Sequence, residues 1–232
     1  MTDSGSSDTV LVLDTASPTV SIAIARNGEV LAEATLELRQ TSEQLLSTVE
    51  RVLGTADLSP RDLDGVAALQ GPGSFTGLRI GLATVLGWHQ ALGVRATALP
   101  TLPVVAAAGG AAQDEVIAAV DAIRGDWSVQ RFRVEPVDAS GSQHSNLQRA
   151  VALDETILVA GAELDRYAPC RLIGFGVTAL DTIPGIEVIE PPPLAATAAR
   201  LLSLDPGATP WDVDQLTRPI YARPPAVTPP KA

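Results

Sequence analysis

Residues Gly71 to Gly81 read GPGSFTGLRIG, with three glycines, a proline, a serine and a threonine in the first seven positions. A short apolar run precedes them and a long one follows. In that strand–turn–helix order, backbone N–H groups at a helix N-terminus can gather around an anion. A P-loop needs a lysine directly after its last glycine, whereas Leu78 and Arg79 follow Gly77. A dinucleotide fingerprint needs G-x-G-x-x-G and an acid about 20 residues on; Gly71, Gly73 and Gly77 miss that spacing, and residues 91–99 hold no acid. The other reading is architectural. Pro72 fixes φ, the glycines take positive φ, and Ser74 or Thr76 caps the following helix. Both readings stand at this point.

Other groups capable of chemistry are few. Asp14 and Thr15 end an apolar run, where an actin-like ATPase would place a magnesium-organising Asp and a Gly-rich turn. Here Ala16-Ser17-Pro18 follows without a glycine. The two histidines, His89 and His144, lie in no H-x-x-x-H frame, so the paired metal ligands of a metallopeptidase are absent. His89 reads as a packing or interface residue and His144 as a loop residue. Lys231 is the sole lysine, which leaves the body without a lysine clamp or Schiff base, and Cys170 is the sole cysteine. Asp121 to Asp126, DAIRGD, reads either as a strand-ending turn with Arg124 paired to Asp126 or as a place where a partner or tRNA approaches. Arg79 either lies along its own helix or donates to a partner. Asp212 and Asp214 read as a solvated turn, and Tyr221 as packing the chain end onto the fold.

The elements that must position these groups follow from periodicity. The 232 residues carry a net charge of −11, which argues against a stand-alone nucleic-acid binder. No apolar run reaches the ~18–20 residues of a membrane span, and the N-terminus lacks a signal-peptide layout; a cytoplasmic chain is expected. Two strands (10–16 and 19–30), an Asn27-Gly28 hairpin turn and a third strand open the fold. A helix over 41–54 follows, with a Thr41/Gln44 capping pattern and Leu45, Leu46, Val49, Val52 and Leu53 at helical spacing. A Pro60-led turn, a strand at 65–70, the glycine loop, a helix over 77–92 and a strand near 94–100 complete a lobe. From Thr101 the pattern partly recurs: a helix, strands near 115–122, 127–135, 170–176 and 186–190, and a helix near 193–203. The division is a loose leader (1–9), a first lobe (10–100), a less regular second lobe (101–222) and a Pro-rich tail (223–232). The helix over 77–92 has barely any polar face, so it needs a second neighbour besides its own sheet.

Strands, helix, strand, helix, strand is the lobe order of the actin-like (ribonuclease-H-like) superfamily, an α/β fold of two lobes, each a mixed sheet flanked by helices. More specifically, LVLDTASPTVSIAIARNGEVL, TSEQLLSTVERVL, GPGSFTGLRIGLATVLGWHQAL, DAIRGDW and RPIYAR occur in the order seen in the TsaB (YeaZ) family, which the chain resembles. The resemblance is clear over 10–103 and thin over 130–205, and the histidine many members carry ahead of the first helix is missing from RQTSEQ. It implies a non-catalytic subunit in the making of N6-threonylcarbamoyladenosine at tRNA position 37. The implied partner is TsaD, which holds the metal and performs the transfer, with the ATPase TsaE joining the larger complex. The implied contact, also used for a homodimer when the subunit is alone, is the helix pair 42–53 and 76–90. Its residues would be Leu45, Val49, Thr76, Arg79, Ile80, Leu82, Ala83, Leu86, Gly87 and Gln90. No cofactor and no membrane are implied, and tRNA is met only through the complex. The alternatives are an actin-like ATPase or phosphotransferase with a site near Asp14 and Thr15, and, more remotely, a metallopeptidase.

Overall fold

The computed structural model describes residues 8–37, 41–137, 147–204 and 211–223. His144 and Lys231 lie outside the described residues, as does most of the expected leader and tail. The first sheet has the order β3-β2-β1-β4-β5, built from β1 (Thr9–Asp14), β2 (Thr19–Arg26), β3 (Glu29–Glu37), β4 (Gly65–Leu69) and β5 (Arg95–Leu99). Asn27 and Gly28, with φ of 51° and 80°, make the β2–β3 turn. β1 is antiparallel to β2 and parallel to β4, and β4 is parallel to β5. The parallel steps require crossovers, supplied by α1 (Thr41–Thr55) and α2 (Phe75–Leu92).

The second sheet repeats this layout. β6 (Glu115–Asp121) is antiparallel to β7 (Asp126–Pro136), and β6, β10 (Cys170–Gly174) and β11 (Ile186–Ile189) run parallel. Two short strands, β8 (Gln148–Ala152) and β9 (Ile157–Ala160), share the far side of β7. The crossovers that are full helices in the first lobe shrink here to 3₁₀ turns at Gly161–Tyr167 and Val177–Leu180. That shrinkage is why the second lobe reads as irregular in sequence: a turn of four to seven residues is too short to show a helical period.

Between the sheets lie α3 (Thr101–Gly109) and α4 (Leu194–Leu204). One buried cluster joins Val10, Val12 and Leu69 of the first sheet to Leu102 and Leu194 of these helices and to Phe132 and Ile173 of the second sheet. Alternate residues of β1, Leu11 and Leu13, face the opposite side and pack beneath α1 and α2 with Leu45, Val49 and Leu82. Helix α4, expected within the second lobe from its place in the chain, is bonded to the first: Ala195 N–H donates to Ser21 Oγ (3.1 Å), Gly28 N–H to Ser203 Oγ (2.8 Å) and Arg200 Nε to the Gly28 carbonyl (3.1 Å). Thr9, placed in the leader on composition, opens β1 and is pinned where its N–H donates to Asp64 Oδ2 at 2.8 Å.

Since a single apolar cluster spans both sheets, the lobes should unfold together. Leu194→Ala, at a fully buried position of that cluster, should lower the urea unfolding free energy by about 2–5 kcal/mol in one transition. Fluorescence and circular dichroism followed in parallel would report two separate midpoints if the lobes were independent.

Candidate functional site

The glycine loop packs on the turn that ends β1. Ser74 is the N-cap of α2, its Oγ accepting from Gly77 N–H at 3.2 Å. The Ser74 N–H donates to the Ala16 carbonyl (2.8 Å), and Gly71 N–H donates to Thr101 Oγ1 (3.1 Å). From the other side, Thr15 Oγ1 donates to the Gly77 carbonyl at 2.7 Å. A Cβ on Gly77 would overlap the Thr15 carbonyl oxygen, and one on Gly81 would overlap Thr15 Oγ1. The glycines let two backbones touch. These N–H groups, which an anion nest would aim at a ligand, are spent inside the chain.

The same holds at the facing turn. Asp14 is fully buried, and its Oδ1 accepts from the N–H groups of Ala16 (2.9 Å) and Ser17 (3.1 Å). Burial raises its pKa to about 6; the Ser17 side chain and the Ser17 and Ala16 N–H groups pull the other way without cancelling it. The Ser17 hydroxyl lies near enough to Asp14 to lower its pKa, but neither Ser17 Oγ nor Asp14 Oδ2 reaches hydrogen-bond geometry. A triphosphate fits poorly here: both turns have internal bonds where an actin-like ATPase needs free donors, and the buried group is an acid. Among the described residues, no three His, Cys, Asp or Glu side chains gather to hold a metal, and no helix is long and apolar enough to cross a membrane.

Of the ten residues anticipated as a partner face, the structure divides three from seven. Leu45, Val49 and Leu82 are core, at most 4% exposed and packed beneath α1 and α2. Thr76, Arg79, Ala83, Gly87 and Gln90 are exposed, with Ile80 and Leu86 half-buried beside them. Their spacing of three and four residues makes one outward stripe along α2. Three apolar side chains not anticipated on the contact flank it: Leu46 on α1, 57% exposed, Phe75 at the start of α2 and Leu92 at its end. Leu46 counts among the periodic apolar residues of α1, but Leu45, Val49 and Val52 form the buried face and leave it outside. Leu46, Leu53, Leu63, Trp88 and Leu92 line a recess of about 260 Å³ between the two helices.

Several side chains have local duties. Arg79 lies over the Phe75 ring (3.9 Å to its centroid) and donates from Nε to Tyr221 Oη at 3.3 Å, so it sits along its own helix. His89 Nδ1 bonds with the Val94 carbonyl (2.8 Å) beside the left-handed Gly93 that ends α2. Asp126 is paired with Arg223 rather than with the expected Arg124. The reason is backbone: Ile123, Arg124 and Gly125 all have positive φ, and the turn closes through Ala122 N–H to the Asp126 carbonyl (2.8 Å). Asp212 caps the 3₁₀ turn Val213–Thr217 by accepting from Asp214 N–H at 3.0 Å.

A protein-family model described as TsaD, tRNA N6-adenosine threonylcarbamoyltransferase, matches residues 29–180. An uncharacterized protein of Mycobacterium tuberculosis is 30% identical over 194 residues, 82% of this chain and 84% of its own length. The tRNA threonylcarbamoyladenosine biosynthesis protein TsaB of Escherichia coli is 32% identical over 152 residues, 64% of each chain. The solved structure of YeaZ from Pseudomonas aeruginosa superposes with a TM-score of 0.67 at 24% identity, covering 90% of this chain and 97% of that one. Two mixed sheets flanked by helices are thus the actin-like two-lobe fold.

Two expectations follow from the joint. Gly77→Ala should destabilise the chain by about 3 kcal/mol, because the new methyl meets backbone. Gly87→Ala, with open space around it, should stabilise by about 1 kcal/mol. Thermal or urea unfolding of the pair checks both signs. For Asp14, the folded pKa near 6 lies above the reference 3.8, so the folded state holds the proton more tightly. Its contribution is complete below about pH 4 and lost as pH rises through 6, a change of about 3 kcal/mol. Asp14→Asn keeps the Oδ1 acceptor, so urea unfolding should find it more stable than the parent at pH 7.5 and level with it at pH 3.5.

Proposed function

We propose, from the premise that the chain belongs to the TsaD family and within it to the TsaB (YeaZ) branch, that it is the non-catalytic subunit which binds TsaD and holds it in an active arrangement. The setting is the biosynthesis of threonylcarbamoyladenosine on tRNA. The observation that carries this reading is the outward stripe of α2 together with the apolar recess it shares with α1. Exposed apolar surface around a groove marks a protein contact. Small residues at Ala83 and Gly87 allow a partner's backbone close to the helix axis, and Leu46 and Leu92 flank them with larger apolar side chains. The spent donors of the glycine loop support a subunit without chemistry of its own.

The partner acts on TsaD only through different affinity for its conformations; binding energy on the α1–α2 face shifts TsaD toward the state that fits. In this reading TsaE joins the larger complex, and the isolated chain pairs with itself through the same face. A chain of net charge −11 meets tRNA through the complex, in the cytoplasm, rather than by itself.

Ala83→Glu and Leu46→Glu place a charge on the face at exposed positions. Both should weaken co-elution with TsaD in size-exclusion chromatography by at least about 100-fold in affinity, with unfolding free energies within about 0.5 kcal/mol of the parent. Leu82→Glu is no substitute, since Leu82 is core. Unchanged co-elution of both variants contradicts the assignment.

A further inference from the structure

A second recess, of about 420 Å³, opens between the lobes on the other side of the glycine joint. Its walls are apolar: Pro18 and the glycine-loop residues Pro72 and Phe75 on the first lobe, Val120, Ile123 and Phe175 on the second. Ile123 is held at this recess in an unusual state. It is β-branched with φ of 65° and is 72% exposed, a conformation that costs energy and persists only where the surroundings impose it. What imposes it is Asp121, whose Oδ1 accepts from the Ile123 N–H at 2.8 Å.

The polar groups of the recess are one-sided in charge. Asp121 is the only ionisable side chain among its described lining residues, and no lysine or arginine lines it. Arg79, over the outer side of Phe75, is engaged with Tyr221. Ser17 lines the recess, is 4% exposed, and its Oγ has no hydrogen-bond partner. A buried hydroxyl left unpaired costs on the order of 1–3 kcal/mol and is satisfied by whatever polar atom enters. Phosphates and carboxylates would meet the Asp121 charge, and the Ala16, Ser17 and Ser74 N–H groups at the recess are already bonded within the chain.

We propose that the interlobe recess is a binding site for a small organic amine. The Asp121 carboxylate balances the ammonium charge, the Ser17 hydroxyl takes up a further N–H or O–H of the ligand, and the Phe75, Pro72 and Phe175 walls hold a flat apolar body. The site shares Phe75 and Thr76 with the near end of the α1–α2 face, but it does not rest on the partner assignment.

Tyramine, which has an aromatic body with an ammonium group at one end and a hydroxyl at the other, is the probe. Its carboxylate counterpart 3-(4-hydroxyphenyl)propionate and magnesium ATP are the contrasts, all titrated into the full ¹⁵N-labelled chain and followed by amide shifts. Tyramine should shift Gly73, Ser74, Ile123 and Phe175 saturably, with Kd below about 1 mM, and the carboxylate should bind at least about tenfold more weakly. Asp121→Asn retains the acceptor for Ile123 N–H and removes the charge, so it should also weaken tyramine about tenfold. Ser17→Ala, which keeps the Ser17 N–H bond to Asp14 Oδ1, should weaken it by a smaller factor. The proposal is overturned if tyramine gives no saturable shift, if the carboxylate or magnesium ATP binds as well, or if Asp121→Asn binds tyramine unchanged.

Discussion

Everything in the first lobe is arranged around the contact between the N-terminal turn of α2 and the turn that ends β1. Backbone meets backbone there because Gly77 and Gly81 carry no side chain at the point of closest approach to Thr15. Two hydrogen bonds fix it, Ser74 N–H to the Ala16 carbonyl and Thr15 Oγ1 to the Gly77 carbonyl. Drawing α2 onto β1 buries Leu78, Leu82 and Val85 beneath it. The same contact engages the Ser74 N–H, a donor that could otherwise face a phosphate. One constraint thus ties the glycine loop to β1 and sets the outer stripe of α2 at a fixed height above the sheet.

The buried acid at position 14 belongs to the same contact. Its Oδ1 organises the turn by accepting from Ala16 and Ser17 N–H groups, while Oδ2 is left without a partner in the interior. An unsatisfied buried carboxylate oxygen works against stability, and the raised pKa is its thermodynamic trace. The fold retains that cost in exchange for a rigid turn on which the glycine loop can rest. The chain end adds a further tie: Ile220 N–H donates to the Gln70 carbonyl at 2.7 Å, Tyr221 packs on Phe75, and Arg223 reaches Asp126 across the cleft.

Much of this was legible in the residues. Alternation in the opening strands, the Asn27-Gly28 turn and the apolar spacing of α1 and α2 announce the first lobe because each element is long enough to show its period. Strands β8 and β9, at four or five residues with few apolar positions facing inward, show too little pattern to be found. The glycine block was ambiguous for a physical reason: a loop that cradles an anion and a loop that touches a neighbouring backbone need the same residue types. Only the partners of its N–H groups separate the two: Ala16 from the turn after β1 for Ser74, Thr101 for Gly71 and Ser74 itself for Gly77. The outer face was half legible. The family resemblance pointed to the stripe from Thr76 to Gln90, but it did not separate inward from outward side chains: Leu82 on the nearly all-apolar α2, and Leu45 and Val49 on the inward face of α1, pack beneath the helices.

Residue-resolved amide hydrogen exchange on the chain alone, with magnesium ATP, and with TsaD tests the central claim most directly. The account predicts that the Ala16, Ser17, Ser74 and Gly77 amides are protected in the chain alone and unchanged by magnesium ATP. TsaD should slow exchange along α1 and α2 and leave the cleft as it was. Slowing of residues 15–17 and 73–77 by magnesium ATP, with both helices indifferent to TsaD, would contradict it.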